Sequence, residues 1–321
     1  MGETSTAVKS PGTPLPSQGR GRGRGWLRGE SNPLLMKELR VRMRGARAFV
    51  VLTVYLLLLS GFTSIIYYAY RASSRGPGGG PDMAYLGKVV FASVVLIEIF
   101  MVTFITPAFT AGAISGERER KTYELLRTTL LPASKLVTGK LASALTYMFL
   151  LILAAVPLES LAFVLGGVVV EELVLALVIL LVTALGFAVI GIFFSSLVRT
   201  TLVSTVLTYV TALLATVGLP VLLALSPLMY GHGSSAPSWI VQAILNYALY
   251  ITAGLSPITA AIFSEIALEE ENTVWFFRTS VGSGHSIWVP SAWIVCTVVY
   301  LALALVLLLV TVLRVRRQET R

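Results

Sequence analysis

Charge is what this sequence has least of. Asp, Glu, Lys and Arg make up 13% of its 321 residues, about half the share of an ordinary soluble domain. Hydrophobic residues make up 55%, and the mean hydropathy is +0.81. So few charges cannot cover that much apolar surface, which excludes a water-soluble globule and implies an integral membrane protein. Cysteine is nearly absent. The lone Cys296 excludes a disulfide framework or cysteine metal site and reads as a small hydrophobe facing lipid or a neighbouring helix. The two histidines, His232 and His285, lie far apart in segments rich in Gly and Ser, without the close spacing of a helical metal pair. No Gly-x-x-x-x-Gly-Lys-[Ser/Thr] phosphate loop occurs, since Gly139-Lys140 runs into Leu141 without the upstream glycine. No metal, nucleotide or catalytic site is therefore expected in this chain.

What is present is a series of long apolar runs. Hydrocarbon takes about 20 apolar residues per helical crossing, and six segments qualify: 49–70, 89–109, 141–165, 173–195, 202–226 and 291–313. Tyr67, Tyr68 and Tyr70 end the first at a membrane interface. These runs are too long, and alternate too little, for membrane strands. A helical bundle satisfies its own backbone in lipid, so the expected fold is an all-α bundle of six spans. Residues 1–30, with Gly21-Arg22-Gly23-Arg24-Gly25, cannot form a core and read as a disordered cytoplasmic tail. They make a poor signal peptide, because the apolar stretch begins too late. The repeat is too short to favour a specific nucleic acid.

Charge sets the expected orientation. With both termini cytoplasmic, 21 basic residues fall on that side, in segments 1–48, 110–140, 196–201 and 314–321. The other side receives only Arg71, Arg75, Lys88 and Arg278, as the positive-inside tendency prefers. Seven acids, among them Asp82, Glu171, Glu172 and Glu265, face outward.

Two connections carry helical patterning. Before the first span, Pro33 suits a first helical turn. Leu35, Met36, Leu39 and Met43 then share one face, with Lys37, Glu38, Arg40 and Arg44 interspersed. This reads as an interfacial helix that either anchors topology or also contacts a cytoplasmic partner. Between spans two and three, residues 116–131 read as a short charged helix. Glu117 and Lys121 stand four apart, as do Glu119 and Tyr123, with Glu124 and Arg127 three apart. Tyr123, Leu126 and Leu130 form an apolar strip that meets either headgroups or another protein.

Two acids interrupt the spans. Glu98 lies mid-span and must face protein, a polar route or a proton. It reads as an interhelical hydrogen-bonding group or as part of a substrate or ion route. Glu159 follows Pro157 and is expected near the outer end of span three, where a bend exposes it to water or headgroups. The 227–290 connection is too long for a turn. Its apolar part, 239–267, is broken by Gly254 and Pro257 and reads as two short helices dipping into the outer leaflet. Glu269-Glu270-Glu271 and Trp275-Phe276-Phe277 then form an outer cap, either solvated or in contact with substrate or an accessory subunit.

At these segments the chain resembles the permease subunits of ABC-2 type ATP-binding-cassette transporters. The matching pieces are Asn32-Pro-Leu-Leu-Met-Lys-Glu-Leu-Arg40, the stretch Pro107-Ala-Phe-Thr-Ala-Gly-Ala-Ile-Ser-Gly-Glu-Arg-Glu-Arg-Lys-Thr-Tyr-Glu-Leu-Leu126, and Pro132-Ala-Ser-Lys-Leu-Val-Thr-Gly-Lys140. Gly191-Ile-Phe-Phe-Ser-Ser-Leu-Val-Arg199 and Leu255-Ser-Pro-Ile-Thr259 are also similar. The pattern Gly-Glu-x-Glu-x-x-Thr-x-Glu-x-Leu is the specific part, and the likeness covers residues 31–317. It implies an ABC-2 type transmembrane domain over that range and a short cytoplasmic tail at 318–321. It also implies a location in the prokaryotic cytoplasmic membrane. The 116–131 segment would be the coupling helix, with Glu117, Arg118, Glu119, Lys121, Thr122, Glu124 and Arg127 at the ATPase contact, and 33–46 would be the connecting helix. Two copies of a separate ATPase subunit would bind ATP and Mg, and a second identical or related permease chain would face this one. The family favours export. The rivals are a membrane scaffold, a channel subunit or a secondary transporter, though no internal repeat or pair of broken spans supports the last.

Overall fold

The computed structural model describes residue 2 and residues 46–73, 82–121, 132–230, 238–271, 273–281 and 285–319. The chain divides into Met1–Ser31 and Asn32–Arg321, and all that follows concerns the second unit. The interfacial helix with Lys37, Glu38, Arg40 and Arg44, the distal coupling residues Thr122, Glu124 and Arg127, and His232 lie outside the described residues.

The elements run α1 (Ala46–Ser73), α2 (Met83–Thr110), α3 (Ser115–Glu119), α4 (Ala133–Leu165), α5 (Val170–Leu197) and α6 (Thr201–Leu213). A π-helical turn, Leu214–Gly218, leads into α7 (Leu219–Tyr230). Then come α8 (Trp239–Leu255), α9 (Pro257–Glu271), β1 (Phe276–Val281), β2 (His285–Pro290) and α10 (Ala292–Glu319). Six helices are long and apolar enough to cross a membrane: Phe49–Ser73, Met83–Glu119, Ala133–Leu165, Val170–Leu197, Thr201–Leu225 and Ala292–Arg317. The molecule is a bundle of six long helices with one short β-hairpin among the described residues.

Several helices overrun the apolar windows read from the sequence, because capping chemistry rather than hydropathy sets a helix end. Asp82 caps α2 by accepting from the N–H groups of Ala84 at 3.0 Å and Tyr85 at 3.4 Å, so Lys88 sits inside the helix. Helix α4 begins at Ala133, just after Pro132 and eight residues before the apolar run. Helix α5 is central: 67% of its apolar window is buried, against 17% for α1. It packs against α2, α4, α6 and α10. Leu86, Val94, Ile99, Met148, Leu151 and Leu180 form the main core. Outward-facing Phe49, Leu57, Ile65, Val298, Leu305 and Leu309 stay exposed, as a lipid-facing rim requires.

Helices α8 and α9 form the two short helices expected between spans five and six. Their turn, Ser256, is fully buried, and its Oγ donates to the Thr216 carbonyl at 3.2 Å in the π-helical turn midway along the fifth span. A π turn leaves carbonyls out of the regular ladder, and this one receives a donor from the hairpin tip. Thr103 and Thr216 bond through their hydroxyls at 3.1 Å, so α2 meets the same point. Strands β1 and β2 pair antiparallel with Phe277 opposite Val289, both buried. The helical reading of the 239–267 region carried no such expectation for this later segment. The alternation Phe277, Thr279, Val281 before Gly282-Ser283-Gly284 is the sequence signal for it.

Candidate functional site

The end of the bundle carrying Arg118, Lys135, Lys140, Arg199 and Arg316 is the basic end. There α2 stops at Thr110, a turn spans 111–114 and α3 begins. A new helix start leaves N–H groups without intrahelical partners. Ser195, near the end of α5, meets that need: its Oγ accepts from the N–H of Ile114 at 2.8 Å and of Ser115 at 2.9 Å. Ser195 is fully buried, as is Ser115, whose Oγ lies 3.2 Å from its own. From α6, Ser204 Oγ donates to the Ala111 carbonyl at 2.6 Å. Both ends of the turn are thus tied to neighbouring helices. Close packing reinforces the tie, since a Cβ on Gly191 would stand 2.1 Å from Thr110 Oγ1.

The charged residues of α3 then reach three different helices. Glu117 pairs with Lys140 of α4 at 3.3 Å, with the lysine side chain 7% exposed and the glutamate 31%. Arg118 Nη1 donates to the carbonyls of Ser196 at 3.3 Å and Val198 at 3.4 Å, satisfying the C-terminal end of α5. Glu119 accepts from the Thr201 N–H at 2.8 Å and the Thr201 hydroxyl at 2.6 Å. Helix α6 lacks a side-chain cap of its own, so a carboxylate from another segment supplies one, at the helix end where negative charge is favoured. The whole arrangement is a knot in which residues 111–119 hold α4, α5 and α6 in register.

The sequence reading placed Glu117, Arg118, Glu119 and Lys121 on one continuous helix over 116–131. In the structure α3 ends at Glu119, and Lys121 adopts φ +56°. The physical reason is the divergence of its charges, which are drawn to three separate partners rather than along one helix face. Arg120 and Lys121 are exposed at the end of the knot. Ser195, Ser204 and Thr201 do most of the tying, yet sequence reasoning gave them no role. Small hydroxyl residues near helix ends are common enough to carry no signal until their partners are known.

Glu117 and Lys140 yield a direct test. Glu117→Gln leaves a buried ammonium without that carboxylate and is expected to lower stability by roughly 1–3 kcal/mol, less than for a fully buried pair. The exchanged pair Glu117→Lys with Lys140→Glu should recover most of the loss in the detergent-solubilised thermal midpoint. No recovery would show that the two charges do not act on each other.

The second buried polar group lies mid-bundle. Glu98 is fully buried and accepts from Tyr55 Oη at 3.4 Å. Glu159 is the neighbouring carboxyl group and is itself 3% exposed. The expected bend at Pro157 does not bring Glu159 to water. Pro157 stays within a continuous α4, and the carboxyl turns inward to the α1–α2 side. Three polar side chains from α1, α2 and α4 thus meet inside an apolar core, an arrangement suited to fixing helix rotation.

Among the described residues no three His, Cys, Asp or Glu side chains converge as a metal site. No family model matches the chain, and no curated protein matches it. What joins this molecule to a class is therefore its six-helix membrane body and the charged knot at one end.

Proposed function

We propose that this chain is the permease subunit of an ATP-driven ABC-2 type transporter, an exporter whose hydrolysis is performed by a separate ATPase subunit. The observation that carries the reading is the knot at 111–121. A short charged segment between two spanning helices is fastened at once to α4, α5 and α6. A push on such a segment is a push on three helices, which is what a coupling element must deliver. The supporting sequence feature is the Gly116-Glu-x-Glu-x-x-Thr-x-Glu-x-Leu126 pattern.

Within this reading the acids divide by role. Glu117 and Glu119 serve the permease's own helices, while Arg120, Lys121 and the residues that follow, including Thr122, Glu124 and Arg127, meet the ATPase. The basic end faces the cytoplasm, and a second permease chain completes the route. ATP and Mg are held by the partner.

The test is isolation of the native complex in mild detergent. A partner carrying a phosphate loop should co-purify, and its hydrolysis should rise in the presence of this chain. The double charge reversal Arg120→Glu, Lys121→Glu should weaken that association about tenfold, as expected for the loss of charge-assisted contacts, and leave the thermal midpoint unchanged. Recovery of the chain without any ATPase, together with ion-driven exchange in vesicles, would replace this reading with secondary transport.

A further inference from the structure

At the opposite, acidic end, α2, α5 and α9 enclose an open cavity of about 160 Å³. Its walls are apolar, with Ala92 and Leu96 from α2, Ile179 from α5 and Ile262 from α9, and two acidic residues line it, Glu172 and Glu265. Glu172 is 5% exposed, and its Oε2 accepts from the Val169 N–H at 3.2 Å. Glu265 is half-buried. The cation acting on Glu265 is Lys88, which pairs with Glu269 at 3.0 Å. Three carboxyl groups thus share one ammonium, so the cavity carries excess negative charge when Glu172 and Glu265 are ionised. At its rim Ala92 and Ile262 are exposed apolar side chains, so the cavity opens on the side that hydrocarbon would occupy.

We propose that this groove binds a long-chain alkylammonium entering from the lipid phase, its ammonium between Glu172 and Glu265 and its chain against Ala92, Leu96 and Ile262. The charge balance selects this occupant. An anionic amphiphile meets repulsion from Glu172, Glu265 and Glu269, and a zwitterionic phospholipid brings its phosphate to the same carboxylates. A neutral alcohol of equal length keeps the apolar contact but leaves the carboxylates unpaired. A cavity of this size accepts part of an alkyl chain rather than a folded peptide. The site stands apart from the ATPase reading, because binding here needs no partner.

Burial, reinforced by the charges of Glu172 and Glu269 and opposed by Lys88, pushes the Glu265 carboxyl up to about 7. Below that pH Glu265 is neutral. Above it Glu265 is an anion, while an alkylamine, like a lysine side chain, stays protonated to about pH 10. Affinity for the amine therefore climbs as pH rises through about 7.

The experiment uses the full chain in phosphatidylcholine nanodiscs with a dodecylamine bearing a photoreactive diazirine on its alkyl chain. Saturable labelling is expected on peptides of α2, α5 and α9, increasing from pH 6 to pH 8. Dodecylamine should compete at least about tenfold better than dodecanol, reflecting the charge-assisted contact. Glu265→Gln should reduce affinity about tenfold and flatten the pH profile. Ala92→Phe fills the groove from its exposed rim and should abolish labelling while the protein stays monodisperse. Labelling elsewhere in the chain, equal competition by dodecanol, or wild-type labelling in both variants would overturn the proposal.

Discussion

Ser195→Ala is expected to reduce the stability of the bundle by roughly 2–5 kcal/mol, because two buried N–H groups lose their acceptor in one step. The hydroxyl oxygen accepts from Ile114 at 2.8 Å and Ser115 at 2.9 Å. Alanine leaves both buried donors without that acceptor. The comparison variant is Ser204→Ala. It removes one donor to the Ala111 carbonyl, which keeps a second donor in Ser115 Oγ at 3.3 Å, so its cost should stay near about 1 kcal/mol. The measurement is the thermal midpoint of each purified protein in the same detergent. Equal midpoints for wild type and Ser195→Ala would show that the turn at 111–114 is not held by this hydroxyl. Within the proposed complex, Ser195→Ala should also lower ATPase stimulation more than ATPase affinity. The partner would still dock on Arg120 and Lys121, but the docked segment would pull on α5 through Arg118 alone.

This prediction also separates what was readable in the residues from what was not. Hydropathy located all six spans, because a helix in lipid needs an unbroken apolar run, and the one other apolar helix among the described residues, Trp239–Leu255, is shorter. Gly254 and Pro257 marked the break between α8 and α9 for an equally simple reason, that neither favours a helix interior. The charged segment announced itself by density of charge in a chain that has little. Its wiring was another matter. Glu119 reaches a residue 82 positions later, and Ser195 reaches back 81 to Ile114. Helical spacing suggests partners three or four residues away, so it pointed along the segment instead of across the bundle. The pairing of Glu98 with Tyr55 and its proximity to Glu159 were hidden for the same cause: each residue belongs to a different helix, and helix rotation is not written in any single apolar run. The β-hairpin escaped notice because its strands are short and follow an acidic stretch that dominates the local pattern.

Gly87→Val should remove folded protein altogether. A Cβ at Gly87 would stand 2.0 Å from the Gly166 carbonyl oxygen and 2.9 Å from that of Ala162. Both neighbours are backbone, so no rotamer change relieves the overlap. The reciprocal contact is as tight: a Cβ on Gly167 would meet the Ala84 carbonyl oxygen at 2.1 Å, and Gly167 already holds φ +86°, which side-chain-bearing residues rarely adopt. Two glycines thus let α2 and the α4–α5 connection touch backbone to backbone. Ordinary overpacking costs about 1–3 kcal/mol where side chains can shift, and here the helices themselves would have to part. Gly61→Val is the matched control. It sits in the spanning helix α1 with nothing within 4 Å of its added Cβ, and replacing a helical glycine there should be neutral or slightly stabilising. The readout is the yield of monodisperse protein from size-exclusion chromatography after identical expression. Normal yield for Gly87→Val would mean that the two backbones do not approach as described. The same contact fixes Lys88, the next residue of α2, relative to Glu172, five residues beyond Gly167. Gly87→Ala carries the same Cβ, so whatever fraction of it folds should lose alkylammonium binding along with stability, whereas Glu265→Gln weakens binding about tenfold and keeps the midpoint. That contrast distinguishes damage to the wall of the groove from removal of its charge.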